Sequence, residues 1–189
     1  MRADNYGGSV ENRARFTLEL LDAVISAIGP SKTAVRFSPF GTVLMPLDSD
    51  PVSTFSYVLS EVERRGVAYV CLTQPRTDLF LPEKTKWENL HKASENGEMK
   101  ISKENITLKP FFSILKKTPT FATGGYDYTN CFDEVESGQL DAVTFGRWFI
   151  SNPDLVERLR AGKKFSPWKQ ESFYADGPVG YTDYPVADV

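Results

Sequence analysis

The sequence predicts an α/β fold of parallel strands with outer helices, about half of a (β/α)8 barrel. Three observations carry this. Strand-like and helix-like patterns alternate along the chain. One strand, VAYVCL at Val67 to Leu72, is continuously apolar, as in parallel sheets covered on both faces. The strand count stops at four (33–37, 67–72, 119–123 and 141–145), where eight are needed to close a barrel. Four strands with helices on one side leave two edges and one apolar face to be covered by something else.

In chain order, Val10 to Ile28 carries Phe16, Leu20, Ala23, Val24 and Ala27 at helical spacing, with Ser9 as N-cap and Gly29-Pro30 as the stop. Thr33 to Phe37 (TAVRF) is a β-prone run, followed by Ser38-Pro39 and a long irregular loop. Arg36 is out of place there: a charge in a run that otherwise reads as buried must be paired with a carboxylate or face a ligand. Pro51 to Arg65 is a helix with Val52, Phe55, Val58, Leu59 and Val62 on one face and Gly66 as terminator. After the strand at 67–72, residues 73–105 lose periodicity and turn rich in Lys, Glu and Asn, which predicts a long, solvated insertion loop. His91, the only histidine, falls in that insert and reads as a solvated loop residue. Ile106 to Lys117 restores an apolar face with Phe111, Phe112 and Leu115, and predicts a helix closed by Pro119.

The stretch from Pro119 to Leu155 carries the chemistry. A buried strand, Thr120 to Thr123, ends in Gly124-Gly125; a short helix runs through Phe132 and Val135; and a second strand, Ala142 to Phe145, ends in Gly146-Arg147. A further helix is entered through Asn152-Pro153 and runs to Ala161. Glycines after a strand let backbone N–H groups approach an anion, and Arg147 adds a charge-assisted contact, so the two strand ends together describe a phosphate clamp. In (β/α)8 barrels the common phosphate site lies in the loops after the last two strands. Beyond Gly162 the tail, residues 162–189, is loop-like and aromatic, with Trp168, Phe173, Tyr174, Tyr181 and Tyr184 expected to pack it against the body.

Composition sets the outer limits. With 189 residues, 41% of them hydrophobic, the chain suffices for one domain with a real core. The net charge of −3 has no basic block behind it, which argues against nucleic acid or an anionic membrane as partner. No apolar run reaches the roughly 18 residues of a membrane span, and the N-terminus lacks a signal-peptide pattern, so the expectation is a cytoplasmic protein. Cys71 and Cys131 are too few for a disulfide framework or a zinc site, and no metal is expected.

The motifs resemble a known family. YGGSVENRARF at Tyr6 to Phe16, VRFSP at Val35 to Pro39, QPR at Gln74 to Arg76, ATGGY at Ala122 to Tyr126, FGRWFISNPDL at Phe145 to Leu155 and SFYADGPVGYTDYP at Ser172 to Pro185 resemble, in this order, the C-terminal half of the Old Yellow Enzyme family. The tail resembles most the fungal branch, which includes enzymes of secondary metabolism. The resemblance implies the C-terminal half of an FMN-containing (β/α)8 barrel, truncated, from enzymes that pass hydride from NAD(P)H through the flavin to an activated alkene. It places Arg36 against the pyrimidine end of the flavin, Gly124, Gly125, Gly146 and Arg147 on its phosphate, and Tyr174 along the substrate cavity. Tyr126 and Trp148 are the other groups expected to line what cavity remains.

The resemblance also implies a gap. In the family the first four strands supply the groups that hold the substrate carbonyl and protonate the α-carbon, and none of these matches a residue of this chain. His91 lies in the insert and cannot be assigned to that role. Three readings follow: half of a split or truncated ene-reductase barrel that needs an N-terminal partner half; a flavin-independent relative catalysing a cyclisation or isomerisation; or a non-catalytic half-barrel that self-associates.

Overall fold

Four parallel strands lie side by side in chain order: β1 (Ala34–Phe37), β2 (Tyr69–Thr73), β3 (Thr120–Thr123) and β4 (Ala142–Thr144). The computed structural model describes residues 2–42, 47–76 and 81–187. The register sets up rows across the sheet. Arg36, Cys71, Phe121 and Ala142 form one row, and Phe37, Leu72, Ala122 and Val143 the next. Because strand side chains alternate between faces, the second row turns outward with Val70 to the helices, while Ala34, Arg36, Tyr69 and Phe121 turn to the open side. Val70, Leu72 and Ala122 are fully buried, whereas Tyr69 is partly exposed and stacks on Phe121 at 4.5 Å between ring centroids.

Seven helices accompany the strands among the described residues: α1 (Val10–Ile28), α2 (Pro51–Arg65), α3 (Glu83–Glu95), α4 (Lys109–Phe112), α5 (Asp133–Glu136), α6 (Arg147–Ser151) and α7 (Leu155–Arg160). The two longest helices, α1 and α2, are N-capped by side chains. Ser9 Oγ accepts from Asn12 N and Asp50 Oδ1 from Ser53 N, each satisfying an orphan donor of the first turn. The main core joins the outer sheet face to α1 and α2 through Leu18, Leu21, Val58, Leu59 and Val62, with Phe40 and Phe111 filling its centre.

Three elements differ from the sequence expectation. The 73–105 insert is not one long loop: it carries α3, whose Lys86, Leu90 and Ala93 are buried, and Met99 beyond it joins the core. The buried positions do recur at helical spacing, but one of them is a lysine, Lys86, 3% exposed, which hides the period. His91 accordingly sits on α3, half-buried, with its ring 5.5 Å from that of Trp87. The helix expected over 106–117 shrinks to the single turn of α4. After it, Glu63 on α2 accepts the backbone N–H groups of Lys116, Lys117 and Thr118 at 2.9–3.2 Å, a side-chain alternative to helical hydrogen bonds. On α1, the face turned to the core is Ala14, Leu18 and Leu21; Phe16, Leu20 and Val24, which mark the helical spacing in the sequence, are exposed.

Candidate functional site

The C-terminal strand ends bring the two glycine turns together. Thr123 pairs with Thr144, so Gly124-Gly125 leaves the sheet beside Phe145-Gly146. Gly124 and Gly125 both have positive φ, 92° and 67°, a conformation that favours glycine. Gly146 stands at the head of α6, and a Cβ placed on it would meet nothing within 4 Å, so its backbone is bare and open. The two turns are tied together: Trp148 Nε1 on α6 donates to the carbonyl of Tyr126 at 2.8 Å. Arg147 opens α6, with its guanidinium 5.0 Å from the ring centroid of Trp168 in the tail. The short helix α6, directly after β4, is absent from the sequence expectation.

Arg36 lies two strands away from β3, on the open face. Its side chain is exposed and makes no hydrogen bond or ion pair with the described residues. It lines a concavity of about 360 Å3 with Ala34, Tyr69, Cys71 and Thr144. Burial pushes the Cys71 thiol above its usual range, so it faces this concavity as a neutral group. Both cysteines are free and buried.

Two expected cavity residues lie elsewhere. Tyr126 is 3% exposed and is not among the residues lining this concavity: its hydroxyl accepts from Gln74 Nε2 at 2.6 Å and donates to the Glu134 carboxylate. Burial, followed by the hydrogen bond to Glu134, pushes its phenol well above the ordinary tyrosine range. Tyr126 therefore fastens the β3 loop to α5. Tyr174 is 81% exposed on the tail, because the tail packs through other aromatics: Trp168 meets Trp148 at 4.2 Å, and Phe165 is buried among Tyr128, Phe145 and Trp148. Asn152 pins this segment by accepting from Ser166 N at 2.7 Å.

Sequence reasoning gave no role to Arg76. Its guanidinium stacks on the Tyr126 ring at 4.6 Å and packs against Gly125, and its Nε and Nη2 are buried without a hydrogen-bond partner among the described residues. It closes the QPR motif at Gln74 to Arg76, which carried the resemblance without giving this arginine a role. Among the described residues no group of three His, Cys, Asp or Glu is placed to hold a metal ion, and no helix is long and apolar enough to cross a membrane.

A parallel sheet whose last two strands end in open glycine turns and an arginine is the layout of a β/α barrel that takes a phosphate-bearing ligand. The chain belongs to the NADH:flavin oxidoreductase / NADH oxidase family, whose profile matches residues 1–165, and its motifs place it with the Old Yellow Enzymes. It is 38% identical over 201 residues to enoate reductase 1 of Kluyveromyces lactis, covering 98% of this chain and 45% of that protein. Against 12-oxophytodienoate reductase 7 of Oryza sativa subsp. japonica the identity is 38% over 190 residues, covering 97% and 45%. The structure of morphinone reductase in complex with tetrahydroNAD superposes with a TM-score of 0.75 at 34% identity, covering 99% of this chain and 44% of that one. The chain thus spans about half the length of the relatives it matches.

Proposed function

We propose that this chain supplies the flavin-phosphate half of an FMN-dependent oxidoreductase barrel that reduces activated alkenes, enones or enals, at the expense of NAD(P)H. The observation that carries this reading is the junction of Gly124-Gly125 with Gly146-Arg147 at paired strand ends, in a chain of a flavin oxidoreductase family. The residues fit the group. Positive-φ glycines and the bare backbone at Gly146 admit a phosphate closely, and Arg147 would add a charge-assisted contact to it. Arg36, on the open face and without an ion pair to any described residue, would stand against the pyrimidine end of the flavin and hold negative charge there. FMN held there would supply hydride transfer between the nicotinamide and the alkene.

The chain's own groups bind and orient; the groups that polarise the substrate carbonyl and deliver a proton belong to a second β/α half that completes the barrel. Tyr174, exposed on the tail, would line the substrate cavity only once that half is in place. Two buried free thiols suit a reducing compartment, in keeping with a cytoplasmic enzyme. The test is reconstitution: the chain, a complementary N-terminal half, FMN and NADPH, with 2-cyclohexenone as probe. Enone-dependent NADPH oxidation supports the reading. A completed barrel that retains no flavin contradicts it.

A further inference from the structure

We propose that Arg76 is a positioning residue of the flavin-phosphate site: it holds the Gly124-Gly125 turn in its anion-binding shape and sets a positive charge against that turn. The inference rests on the phosphate reading above and adds a third strand end to it. Thr73 on β2 pairs with Thr123 on β3, and Gln74 N donates to Thr123 O at 2.9 Å, so Gln74-Pro75-Arg76 leaves the sheet beside the β3 glycine turn. The ends of β2, β3 and β4 therefore adjoin in one row.

Two glycines in succession make a turn with little shape of its own, since each can adopt many backbone conformations. A backbone anion site has to be held in one of them beforehand, or the cost of ordering the turn is subtracted from the affinity. Side chains do this from outside the turn. Asn130 Nδ2 donates to Gly125 O at 3.1 Å, Trp148 Nε1 donates to Tyr126 O at 2.8 Å, and Arg76 fills the space where a Gly125 side chain would stand. A Cβ there would lie 2.6 Å from Arg76 Nε and 2.9 Å from its Cδ. The bare backbone at Gly125 thus admits the arginine as well as the anion. The guanidinium also covers the ring of the next residue, Tyr126, 4.6 Å from its centroid, so it spans two consecutive residues of the turn. That ring is itself tied down through its hydroxyl by Gln74 and Glu134.

Shape alone does not call for a cation. Arg76 Nε and Nη2 are buried without a hydrogen-bond partner among the described residues, a cost that a neutral side chain of the same length would not carry. The carboxylate of this network, Glu134, is engaged instead by the Tyr126 hydroxyl and by Gln74 Nε2, the latter at 3.3 and 3.4 Å. A positive charge that is not cancelled locally, packed on the backbone of an anion-binding turn, strengthens the preference of that turn for an anion. Arg147 would touch the phosphate; Arg76 acts on it through Gly125.

The experiment titrates FMN and riboflavin, by flavin fluorescence, into the full chain assembled with the complementary N-terminal half. It compares wild type with Arg76→Met and Arg76→Lys, and thermal melting checks that each is folded. The readout is the ratio of the two dissociation constants, because a general loss of stability weakens both flavins alike and leaves the ratio unchanged. Arg76→Met, which keeps the stem and removes the charge, should cut the preference for FMN by roughly fivefold or more while riboflavin affinity stays the same. Arg76→Lys, which keeps the charge without the planar stack, should fall between wild type and Arg76→Met. A wild-type ratio in Arg76→Met overturns the proposal, as does an equal loss for both flavins. Should Arg76→Met fail to fold, Arg76→Lys decides: a lowered ratio with riboflavin unchanged carries the proposal, and an unchanged ratio overturns it. Failure of the phosphate reading looks different, since wild type itself would then bind FMN and riboflavin equally, which overturns both.

Discussion

Arg76 packs directly against Gly125: a Cβ on Gly125 would stand 2.6 Å from Arg76 Nε and 2.8 Å from its Cγ. The arginine cannot swing clear without leaving the Tyr126 ring it stacks on, and Gly125 has φ +67°. Gly125→Ala therefore meets both a steric and a conformational penalty, about 1–3 kcal/mol, visible as a fall of several degrees in Tm. In an Arg76→Ala background the steric part disappears, so the double variant should be less destabilised than the sum of the singles. Strict additivity in thermal melts would show that the two residues do not press on one another.

Arg147 is expected to contribute charge to a bound phosphate. Arg147→Ala in the completed barrel should weaken FMN by about 1.5–3 kcal/mol, roughly 10- to 150-fold in Kd, measured by flavin fluorescence titration. Because Arg147 also lies over Trp168, the same variant should change tryptophan emission from the tail. An unchanged Kd removes Arg147 from the site.

Glu63 links α2 to the segment entering β3. Burial alone would raise its pKa, but the hydrogen bonds from Thr118, Lys117 and Lys116 outweigh it and hold the carboxyl below its usual range. A group depressed in this way contributes stability that is complete above its unfolded pKa of about 4.3 and is lost as pH falls through the lower folded value. Glu63→Gln should lower the urea midpoint at pH 7, by about 1–2 kcal/mol in stability, and narrow the gap between pH 7 and pH 3. An equally steep acid dependence in the variant would place the titration elsewhere.

The tail is held by a buried ion pair. Asp154 Oδ1 accepts from Arg158 Nε at 2.8 Å and its Oδ2 from Ala187 N at 2.7 Å, and these contacts, the Ala187 N–H first, hold its pKa below the carboxylate range. Arg158 in turn donates to Lys164 O and Ser166 Oγ. Asp154→Asn should free the C-terminal segment to proteases at pH 7 while the sheet stays intact. Wild type should show the same release only as pH falls below the depressed Asp154 pKa, since the contact is fully present above the unfolded value. Identical cleavage rates for the two chains at neutral pH would contradict this.

The strands were legible because parallel, doubly covered strands write themselves as short apolar runs, and VAYVCL became β2 within two residues. Arg36 was legible for a related reason: a charge in such a run needs an explanation, and the open face supplies one. What escaped the sequence depends on contacts made at a distance. α1 has two apolar rows, and only packing with α2 decides that Leu18 and Leu21 face inward while Phe16 and Leu20 do not. α3 escaped because a charged residue, Lys86, holds one of its buried positions, and the C-terminal end of the helix expected over 106–117 gives way where a carboxylate from α2 takes the N–H groups of residues 116–118. That Gln74 and Glu134 hold the Tyr126 hydroxyl likewise depends on contacts from distant parts of the chain.

The most direct test compares FMN with riboflavin, which lacks the phosphate, by equilibrium titration of the completed barrel. If the Gly124-Gly125 and Gly146-Arg147 turns hold the phosphate, FMN should bind at least tenfold more tightly than riboflavin, and Arg147→Ala should reduce that difference. Equal affinities for the two flavins would contradict a phosphate clamp at these strand ends, and with it the role proposed for this chain.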